Sequence, residues 1–278
     1  MFTDTSSKTA ETPVLVRALS LGKRYSRGRW LSRHRSQVQV LRAVDLRIRT
    51  RSTVALIGQS GSGKSTLARC LACLEEPDSG EIWFAGQNLT RLSRRELVPF
   101  RRQIQLIFQE PGASLNPRFT AVEIVSEPLV IAGLGTKRER RERAFDLMEL
   151  VGLPAHLGGR LPFELSGGQR RRLAIARALA PEPKLLILDE ALAGLDLSTR
   201  AQISNLLLKL QEVFSLTYLC ISHDFGLVTH LADEVVVLHE GRILEGSAPE
   251  LVATSWSSQP RDSRATALKL SSLQVDSR

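Results

Sequence analysis

The stretch TVALIGQSGSGKST, from Thr53 to Thr66, decides the fold of this chain. Its first five residues are apolar or β-branched and predict a short buried strand. The remaining residues match the phosphate-loop pattern G-x-x-x-x-G-K-[ST] in full. We expect a helix to begin at Lys64 and to run to about Leu74. A strand that runs directly into such a loop and then a helix predicts nucleotide binding, and a Gly/Ser-rich turn is the weaker alternative.

The predicted phosphate loop has the residue types that this chemistry needs. Its glycines let the backbone curl so that successive N–H groups point at the β- and γ-phosphates of ATP, and the following helix adds its positive dipole end. Lys64 supplies a mobile charge to these oxygens, and the Ser65 hydroxyl suits Mg²⁺, which prefers oxygen ligands. The predicted loop residues are Gly58, Gln59, Ser60, Gly61, Ser62, Gly63, Lys64, Ser65 and Thr66.

Two acidic residues follow a second apolar run. The residues from Leu185 to Leu188 predict a buried strand, and Asp189 and Glu190 come directly after it. A carboxylate at this strand end can hold Mg²⁺ directly or through water, and Glu190 is then placed to polarise the attacking water as a general base. The alternative is that two acids merely end a strand, but the phosphate loop upstream favours the catalytic interpretation.

Length and composition limit the class of protein. A chain of 278 residues suits one large α/β domain or a domain with an inserted lobe. No apolar run approaches the ~18–20 residues that cross a bilayer. The segment from Met1 to Thr12 is polar and lacks the apolar core of a signal peptide. We therefore expect a cytoplasmic protein that acts at a membrane only through partners.

Basic residues are in excess and are unevenly distributed. The formal net charge is +9, and the basic clusters lie at residues 23–35, at residues 137–143 and at Arg170-Arg171-Arg172. Solvated faces are the first interpretation of each cluster, and contact with acidic lipid headgroups beside a membrane partner is the second. No nucleic-acid motif accompanies the charge, so we expect no nucleic-acid partner.

Three cysteines, Cys70, Cys73 and Cys220, are too few for a disulfide framework. The Cys70-x-x-Cys73 spacing invites a metal or redox interpretation. Because both residues follow the phosphate loop on the predicted helix, we interpret them as small buried thiols.

Strands and helices alternate along the chain, which predicts a mostly parallel sheet with helices on its faces. Residues from about 110 to 180 are mostly helical, and we interpret them as a lobe inserted into the sheet domain. The predicted strands are Val14–Val16, Val38–Ile48, Thr53–Ile57, Glu81–Phe84, Ile104–Phe108, Leu185–Leu188, Thr217–Ile221, Glu234–Leu238 and Arg242–Glu245. The predicted lobe helices are Ala121–Ala132, Lys137–Val151 and one from Ser166 to about Ala180. The predicted segments are a polar one at 1–13, a domain at 14–250 and a tail at 251–278.

A third motif carries a resemblance to a known family. Leu165-Ser166-Gly167-Gly168-Gln169 lies between the phosphate loop and the acidic strand end, and its glycines expose N–H groups at a helix start. The three motifs, in this order, resemble the ATP-binding subunits of ABC transporters from about residue 14 to residue 250. The resemblance implies an α/β fold: a P-loop NTPase (RecA-like) core with a mostly parallel sheet, an antiparallel β subdomain and an inserted helical lobe.

The resemblance also implies roles at single positions after strands. Gln109 is implied to contact Mg²⁺ and the attacking water, His223 to donate to the γ-phosphate, and Tyr25 to stack on adenine. The residues alone leave other interpretations open. Gln109 could be an ordinary loop residue, His223 could have a structural role, and Tyr25 could pack at a sheet edge.

Further implied roles concern a head-to-tail pair of such domains. Ser166, Gly167, Gly168 and Gln169 are implied to complete the nucleotide site of the second subunit, with Asp196 at the same seam. Ala193 stands where the family often has serine, and this departure removes one possible hydrogen bond at the seam.

One loop narrows the resemblance to an import branch. Gln109-Glu110-Pro111 is followed by Ser114-Leu115-Asn116-Pro117-Arg118, which is similar to the loop of peptide and nickel importers, and the long loop after Tyr25 agrees with it. Those relatives usually carry a His-Pro-Tyr-Thr segment near the C-terminus, which residues 259–266 replace here.

The function that the resemblance implies is ATP hydrolysis coupled to import. Two such domains would sandwich two Mg·ATP and drive two separate membrane-spanning permease subunits, for peptides first and nickel second. The implied partners are those permeases, a second ATPase subunit, identical or paralogous, and indirectly an extracytoplasmic solute-binding protein. The implied location is the cytoplasmic face of the cell membrane.

Two rival functions come from other classes. A non-transport ABC ATPase would act as a soluble switch on ribosomes or nucleic acid, but such proteins typically carry two ATPase domains or long coiled coils. A binding-only module would have lost hydrolysis, but Lys64, Asp189, Glu190 and His223 are all present.

Overall fold

A computed structural model describes residues 12–27, 36–109, 114–222 and 225–244 of the chain. The predicted tail and most of the predicted N-terminal segment lie outside these residues. The strands are β1 (Val14–Arg27), β2 (Ser36–Arg49), β3 (Thr53–Ile57), β4 (Ser79–Phe84), β5 (Gln87–Asn88), β6 (Ile104–Ile107), β7 (Leu185–Asp189), β8 (Thr217–Ile221), β9 (Glu234–His239) and β10 (Arg242–Leu244). The α-helices are α1 (Lys64–Leu71), α2 (Val98–Gln103), α3 (Ala121–Ile131), α4 (Lys137–Leu150), α5 (Gly167–Leu179), α6 (Leu197–Phe214) and α7 (Phe225–Leu231).

The larger sheet positions the candidate site. Its strand order is β10-β9-β3-β8-β7-β6, and every pair is parallel except β10 with β9. Because parallel strands share the edge where their carboxyl ends meet, the phosphate loop after β3 and the acids at the end of β7 emerge at one edge. The predicted mostly parallel sheet is confirmed.

The smaller sheet is antiparallel, in the order β2-β1-β4-β5. Val16 of β1 lies opposite Ile48 of β2 on one side and Phe84 of β4 on the other, and all three side chains are buried. Alternation along these strands turns one face toward the core and leaves the other toward solvent. The antiparallel β subdomain that the family resemblance implied is confirmed.

Two cores lie on opposite faces of the larger sheet. Leu186 and Leu188 of β7 pack into a cluster with the helices α3 to α6, whereas Leu185 and Ile187 pack into a cluster with α1 and the smaller sheet. Successive side chains of a strand point to opposite faces, so a strand buried on both faces has to be apolar at every position. This requirement explains the uninterrupted apolar run before Asp189.

The helices between β6 and β7 begin where the sequence predicts. Thr120, Thr136 and Ser166 each precede a helix and form a capping box with the glutamate or glutamine three residues later. Gly133 follows α3 with φ 65°, a conformation that ends the helix at little cost for glycine.

Some helices differ from the sequence-based expectation. Helix α1 ends at Leu71 rather than Leu74, because Cys73 adopts a left-handed conformation with φ 57°. Helices α2, α6 and α7 were not predicted. In the part of the chain that the structure describes, no helix has both the length and the apolar character that crossing a membrane requires.

The cysteines are buried free thiols, as the sequence indicates. Burial raises the pKa of Cys70 and Cys220 to about 12 and that of Cys73 to about 11. Raised pKa values disfavour the thiolate at neutral pH, and the thiolate is the form that takes part in disulfide exchange.

Candidate active site

The phosphate loop is built tightly against its neighbours. Gly58 has φ 153° and Gly63 has φ 109°, a region that side chains rarely adopt. A Cβ on Gly58 would lie 2.1 Å from the Leu238 carbonyl oxygen, and a Cβ on Gly63 would lie 2.9 Å from the Val40 carbonyl oxygen. Glycine is therefore required at both positions, by conformation and by space.

Lys64 is the basic residue inside the loop. Its Nζ donates to the carbonyl oxygens of Gly58 and Gln59, each at 2.8 Å. Burial lowers the pKa of Lys64, and the negative charges of Glu190 and Asp189 oppose this shift. A lysine has three N–H donors, so an ammonium with two bonds to carbonyls can still donate to a phosphate oxygen.

Another side chain of the loop fits a bound ligand. Among the described residues, the Ser62 hydroxyl is buried and has no hydrogen-bond partner. Buried polar groups are normally paired, so this hydroxyl within the phosphate loop leaves a hydrogen bond that a ligand oxygen could satisfy. The loop therefore fits the phosphates of a nucleotide.

Asp189 lies directly beside the first turn of α1. The Ser65 hydroxyl donates to Asp189 Oδ1 at 3.1 Å, and the carboxylate is buried. Burial raises the pKa of Asp189, while the Ser65 hydrogen bond opposes the shift. A hydroxyl and a carboxylate are hard oxygen donors, so this pair fits Mg²⁺.

The donor set also argues against a site built from protein ligands alone. Within the described ranges, no group of three or more His, Cys, Asp or Glu side chains is arranged to hold a metal ion. Mg²⁺ typically binds through one or two protein oxygens together with substrate phosphates and water. Ser65 and Asp189 beside the phosphate loop match that mode of binding.

Glu190 follows in a left-handed conformation, with φ 50°. Its backbone N–H donates to the Ile221 carbonyl at 3.0 Å, and its carbonyl accepts from the Ala193 N–H at 3.0 Å. Strained backbone of this kind persists only where surrounding contacts hold it. The two bonds fix the direction in which the chain leaves the sheet at this residue.

Tyr25 is held beside α1. Its hydroxyl donates to the Glu75 carboxylate. Burial, followed by the contact with Glu75, raises the pKa of Tyr25. Arg69 pairs with the same carboxylate at 3.2 Å and donates to the Ser65 carbonyl at 3.1 Å. With 36% of Tyr25 exposed, its ring can offer a surface next to the phosphate loop.

Glu75 and Arg69, which hold Tyr25, were not singled out from the sequence. No local signal marks either residue, because each is an ordinary charged residue at or after the end of a helix. Their contribution depends on a partner that lies far away along the chain.

Gln109 lies just beyond β6 and is exposed. Ile107 of β6 is paired with Leu188 of β7, so the chain leaves β6 close to the level of Glu190. The predicted His223, together with Glu110 and Pro111, lies outside the described residues. The strand that precedes His223 ends at Ile221, opposite Asp189.

The predicted seam residues form a second group, at the starts of α5 and α6. The Ser166 hydroxyl accepts from the Gln169 N–H at 3.2 Å, and Gln169 Oε1 accepts from the Ser166 N–H at 2.8 Å. Asp196 caps α6 by accepting from the Thr199 N–H at 2.9 Å. A Cβ on Gly168 would lie 3.2 Å from Thr199 Cγ2, so the two helix starts touch there.

The residues of this second group are exposed to solvent. Ser166 and Asp196 are exposed, and a Cβ on Gly167 would meet no atom within 4 Å. Backbone N–H groups at helix starts attract anions. The group could therefore bind an anionic ligand that another molecule carries.

The Arg170-Arg171-Arg172 cluster is neither a solvated face nor a lipid-facing surface. The three side chains are half-buried and donate to backbone carbonyls. Arg170 donates to Leu165, Arg171 to Ala191 and Ala193, and Arg172 to Val151. The cluster therefore holds parts of the helical lobe and the loop after β7 together.

Comparisons with known proteins agree with this architecture. The family model described as "ABC transporter" matches residues 41–193. The dipeptide transport ATP-binding protein DppF of Haemophilus influenzae is 40% identical over 247 residues, which cover 89% of this chain and 76% of the relative. A putative peptide import ATP-binding protein of Brucella abortus is 47% identical over 238 residues, which cover 84% of this chain and 69% of the relative.

Solved structures give the same result for the fold. The ATP-binding cassette MJ0796, solved as a dimer in a post-hydrolysis state with ADP and Pi, superimposes with a TM-score of 0.74 and 32% identity, over 83% of this chain and 97% of that one. The protein cbiO1 of Clostridium perfringens, described as part of an ABC transporter complex, gives a TM-score of 0.74 and 30% identity, over 87% of this chain and 91% of that one. Sequence, fold and phosphate-loop geometry agree, and the chain belongs to the ABC transporter family as one of its ATP-binding, ATP-hydrolysing domains.

Proposed function

We propose that this chain is the ATP-binding subunit of an ABC importer and that it drives peptide uptake through separate membrane subunits. The observation that supports the proposal is the Ser65–Asp189 hydrogen bond beside Lys64, because this pair would hold Mg²⁺ next to the phosphate loop. The choice of peptides rests on relatives that are named for dipeptide or peptide import. Nickel is the second cargo to test.

In the proposed reaction the phosphate loop binds ATP, and residues outside the loop assist hydrolysis. Gly58 to Thr66 bind the phosphates, Tyr25 stacks on the base, and Ser65 and Asp189 would hold Mg²⁺, with Gln109 as a further ligand. Bound Mg²⁺ supplies charge neutralisation at the β- and γ-phosphate oxygens. Glu190 takes a proton from the attacking water as general base, and His223 donates to the γ-phosphate. The strained backbone at Glu190 supports this role, because it is held toward the edge that carries the loop.

Two copies would have to assemble head to tail for the second group to act. Ser166, Gly168 and Asp196 would then complete the site of the facing subunit. The facing subunit would be an identical copy or a paralogue.

The partners follow from the proposed import reaction. Two permease subunits carry the cargo, a solute-binding protein delivers it from outside, and this chain sits at the cytoplasmic face of the cell membrane. A displaced permease helix would act on the site through Gln109 and the Ser114-Leu115-Asn116-Pro117-Arg118 stretch. The rival function, a soluble switch on ribosomes or nucleic acid, predicts different partners.

Affinity purification from detergent-solubilised membranes tests this proposal. We expect two permease subunits to be recovered with the chain, and Gln109→Ala to lower transport more than ATP binding. Gln87→Ala, an exposed glutamine in β5, is the matched control and should change neither. Recovery of ribosomes or DNA-repair proteins would overturn the importer, whereas uptake of an unrelated cargo would remove only the peptide assignment.

A further inference from the structure

Arg171 connects two segments that the proposed reaction uses. It lies on the second turn of α5, the helix that Ser166 caps, and its guanidinium donates to the carbonyl oxygens of Ala191 and Ala193. Those carbonyls belong to the loop between β7 and α6. One side chain therefore joins the helix that begins with the Ser166-Gly167-Gly168-Gln169 segment to the loop that follows Glu190.

The loop that Arg171 contacts begins at Glu190 and ends at Asp196. On its sheet side it is held by the Glu190 N–H bond to the Ile221 carbonyl. At its far end the Arg200 guanidinium donates to the Leu195 carbonyl at 2.9 Å. Arg171 connects the middle of the loop to α5 through its bonds to Ala191 and Ala193. This is the part of the loop that the Glu190–Ile221 and Arg200–Leu195 bonds do not hold.

The chemistry of the contact favours a specific role over general packing. The Arg171 side chain is half-buried, so its charge has lost part of its hydration, and this burial lowers the pKa of the guanidinium. A desolvated charge is tolerated when acceptors satisfy it. Here Nη1 and Nη2 of Arg171 each donate to a different carbonyl, and the single nitrogen of a lysine does not reproduce this planar two-nitrogen spacing. The geometry thus depends on arginine and not merely on positive charge.

The neighbouring arginines provide a contrast on the same helix. Arg172 is also half-buried and donates to the Val151 carbonyl at 2.7 Å and to Gln202 at 3.2 Å. Both of these partners lie outside the loop after β7. Arg172 therefore carries the same charge at the next position of the same helix and is also half-buried, but its partners lie outside the Glu190–Asp196 loop.

We propose that Arg171 is a positioning residue for ATP hydrolysis, which ties the loop of residues 190–196 to the start of α5. Through this tie, Glu190 in the subunit's own site keeps a fixed place relative to Ser166 and Gly168, which serve the facing site. The proposal rests on the proposed function, because only in a head-to-tail pair do both ends of the tie contact nucleotide.

Steady-state ATPase kinetics of the assembled transporter give the first test. We expect Arg171→Ala to lower kcat at least ~10-fold with a change in KM for ATP below about twofold, because small displacements of reacting groups are costly while the phosphate cradle stays intact. Arg171→Lys should recover part of kcat, since lysine keeps the positive charge but not the two spaced nitrogens of the guanidinium. Arg172→Ala should keep both constants within about twofold of the unaltered protein.

Hydrogen exchange of the full chain gives a test that does not depend on hydrolysis. Peptides that cover residues 190–196 should exchange at least ~10-fold faster in Arg171→Ala than in the unaltered chain, and at an unchanged rate in Arg172→Ala. If Arg171→Ala exchanges faster everywhere, it has lost its fold, and Arg171→Lys then decides by the same two measurements.

The outcomes separate the inference from the function on which it rests. Equal kcat and equal loop exchange in the Arg171 and Arg172 variants would overturn the positioning role. An unaltered complex that does not hydrolyse ATP would instead overturn the proposed function, and the exchange measurement would still report whether Arg171 holds the loop.

Discussion

Replacing Lys64 by methionine keeps most of the side-chain volume and removes the charge from the phosphate loop. In the structure, Nζ already donates to the carbonyl oxygens of Gly58 and Gln59, so about one of its three donors remains for a phosphate oxygen. A hydrogen bond to a charged partner contributes about 1.5–3 kcal/mol. Since about 1.4 kcal/mol corresponds to a tenfold change, we expect the Kd for Mg·ATP to rise about 10- to 150-fold.

Isothermal titration of the full chain with Mg·ATP measures this change directly. Lys209→Met is the matched control, because Lys209 is an exposed lysine on α6 and the substitution removes the same formal charge. It should leave the Kd within about twofold. The ATPase activity of the assembled complex should fall with Lys64→Met as well. An unchanged Kd together with near-normal turnover would refute the assignment of Lys64 to the phosphates.

Other substitutions test the remaining parts of the site. Glu190→Gln should bind Mg·ATP but stall hydrolysis by about 10²- to 10⁴-fold and accumulate as an ATP-bound dimer in size-exclusion chromatography; normal turnover would contradict this. Gly168→Asp should block hydrolysis in the complex by placing a carboxylate against the facing γ-phosphate and by crowding Thr199 Cγ2, whereas Gly167→Ala, with nothing within 4 Å of its Cβ, should be milder. Loss of nucleotide binding by the isolated Gly168→Asp chain would place this segment beside its own phosphate loop. Burial raises the folded-state pKa of Asp189 above its ordinary value of 3.8. The protonated carboxyl therefore favours the folded state fully below pH 3.8, and this contribution to the free energy of unfolding is lost as the pH rises through the folded-state pKa. Without nucleotide, the stability of Asp189→Asn relative to the unaltered chain should therefore increase with pH in urea unfolding, and a pH-independent difference would exclude the shift.

Several elements could be predicted because their signals are local. The glycines of the phosphate loop, the capping residues Thr120 and Thr136, and the apolar run before Asp189 each act on backbone within a few positions. Such effects depend on residue type and spacing, which the sequence states directly.

Helix α6 was not predicted, although the sequence contains local signals for it. In α6 the residues Ile203, Leu206, Leu207 and Leu210 are buried on one face, with the spacing of an amphipathic helix. Asp196 also caps it, so a start signal and a periodic signal were both present. The cap was interpreted only through its implied place at the seam.

By itself, the sequence determined the phosphate-binding strand, loop and helix, the acidic strand end and the starts of the lobe helices, because neighbouring residues set these conformations and chemistries. Only the tertiary structure decided the contacts between distant positions. Ser65 meets Asp189 across 124 positions, Tyr25 meets Glu75 across 50, and Arg171 meets Ala191 across 20. No local pattern encodes such pairs, because each exists only after the parallel sheet and the two cores have brought separate elements to one edge.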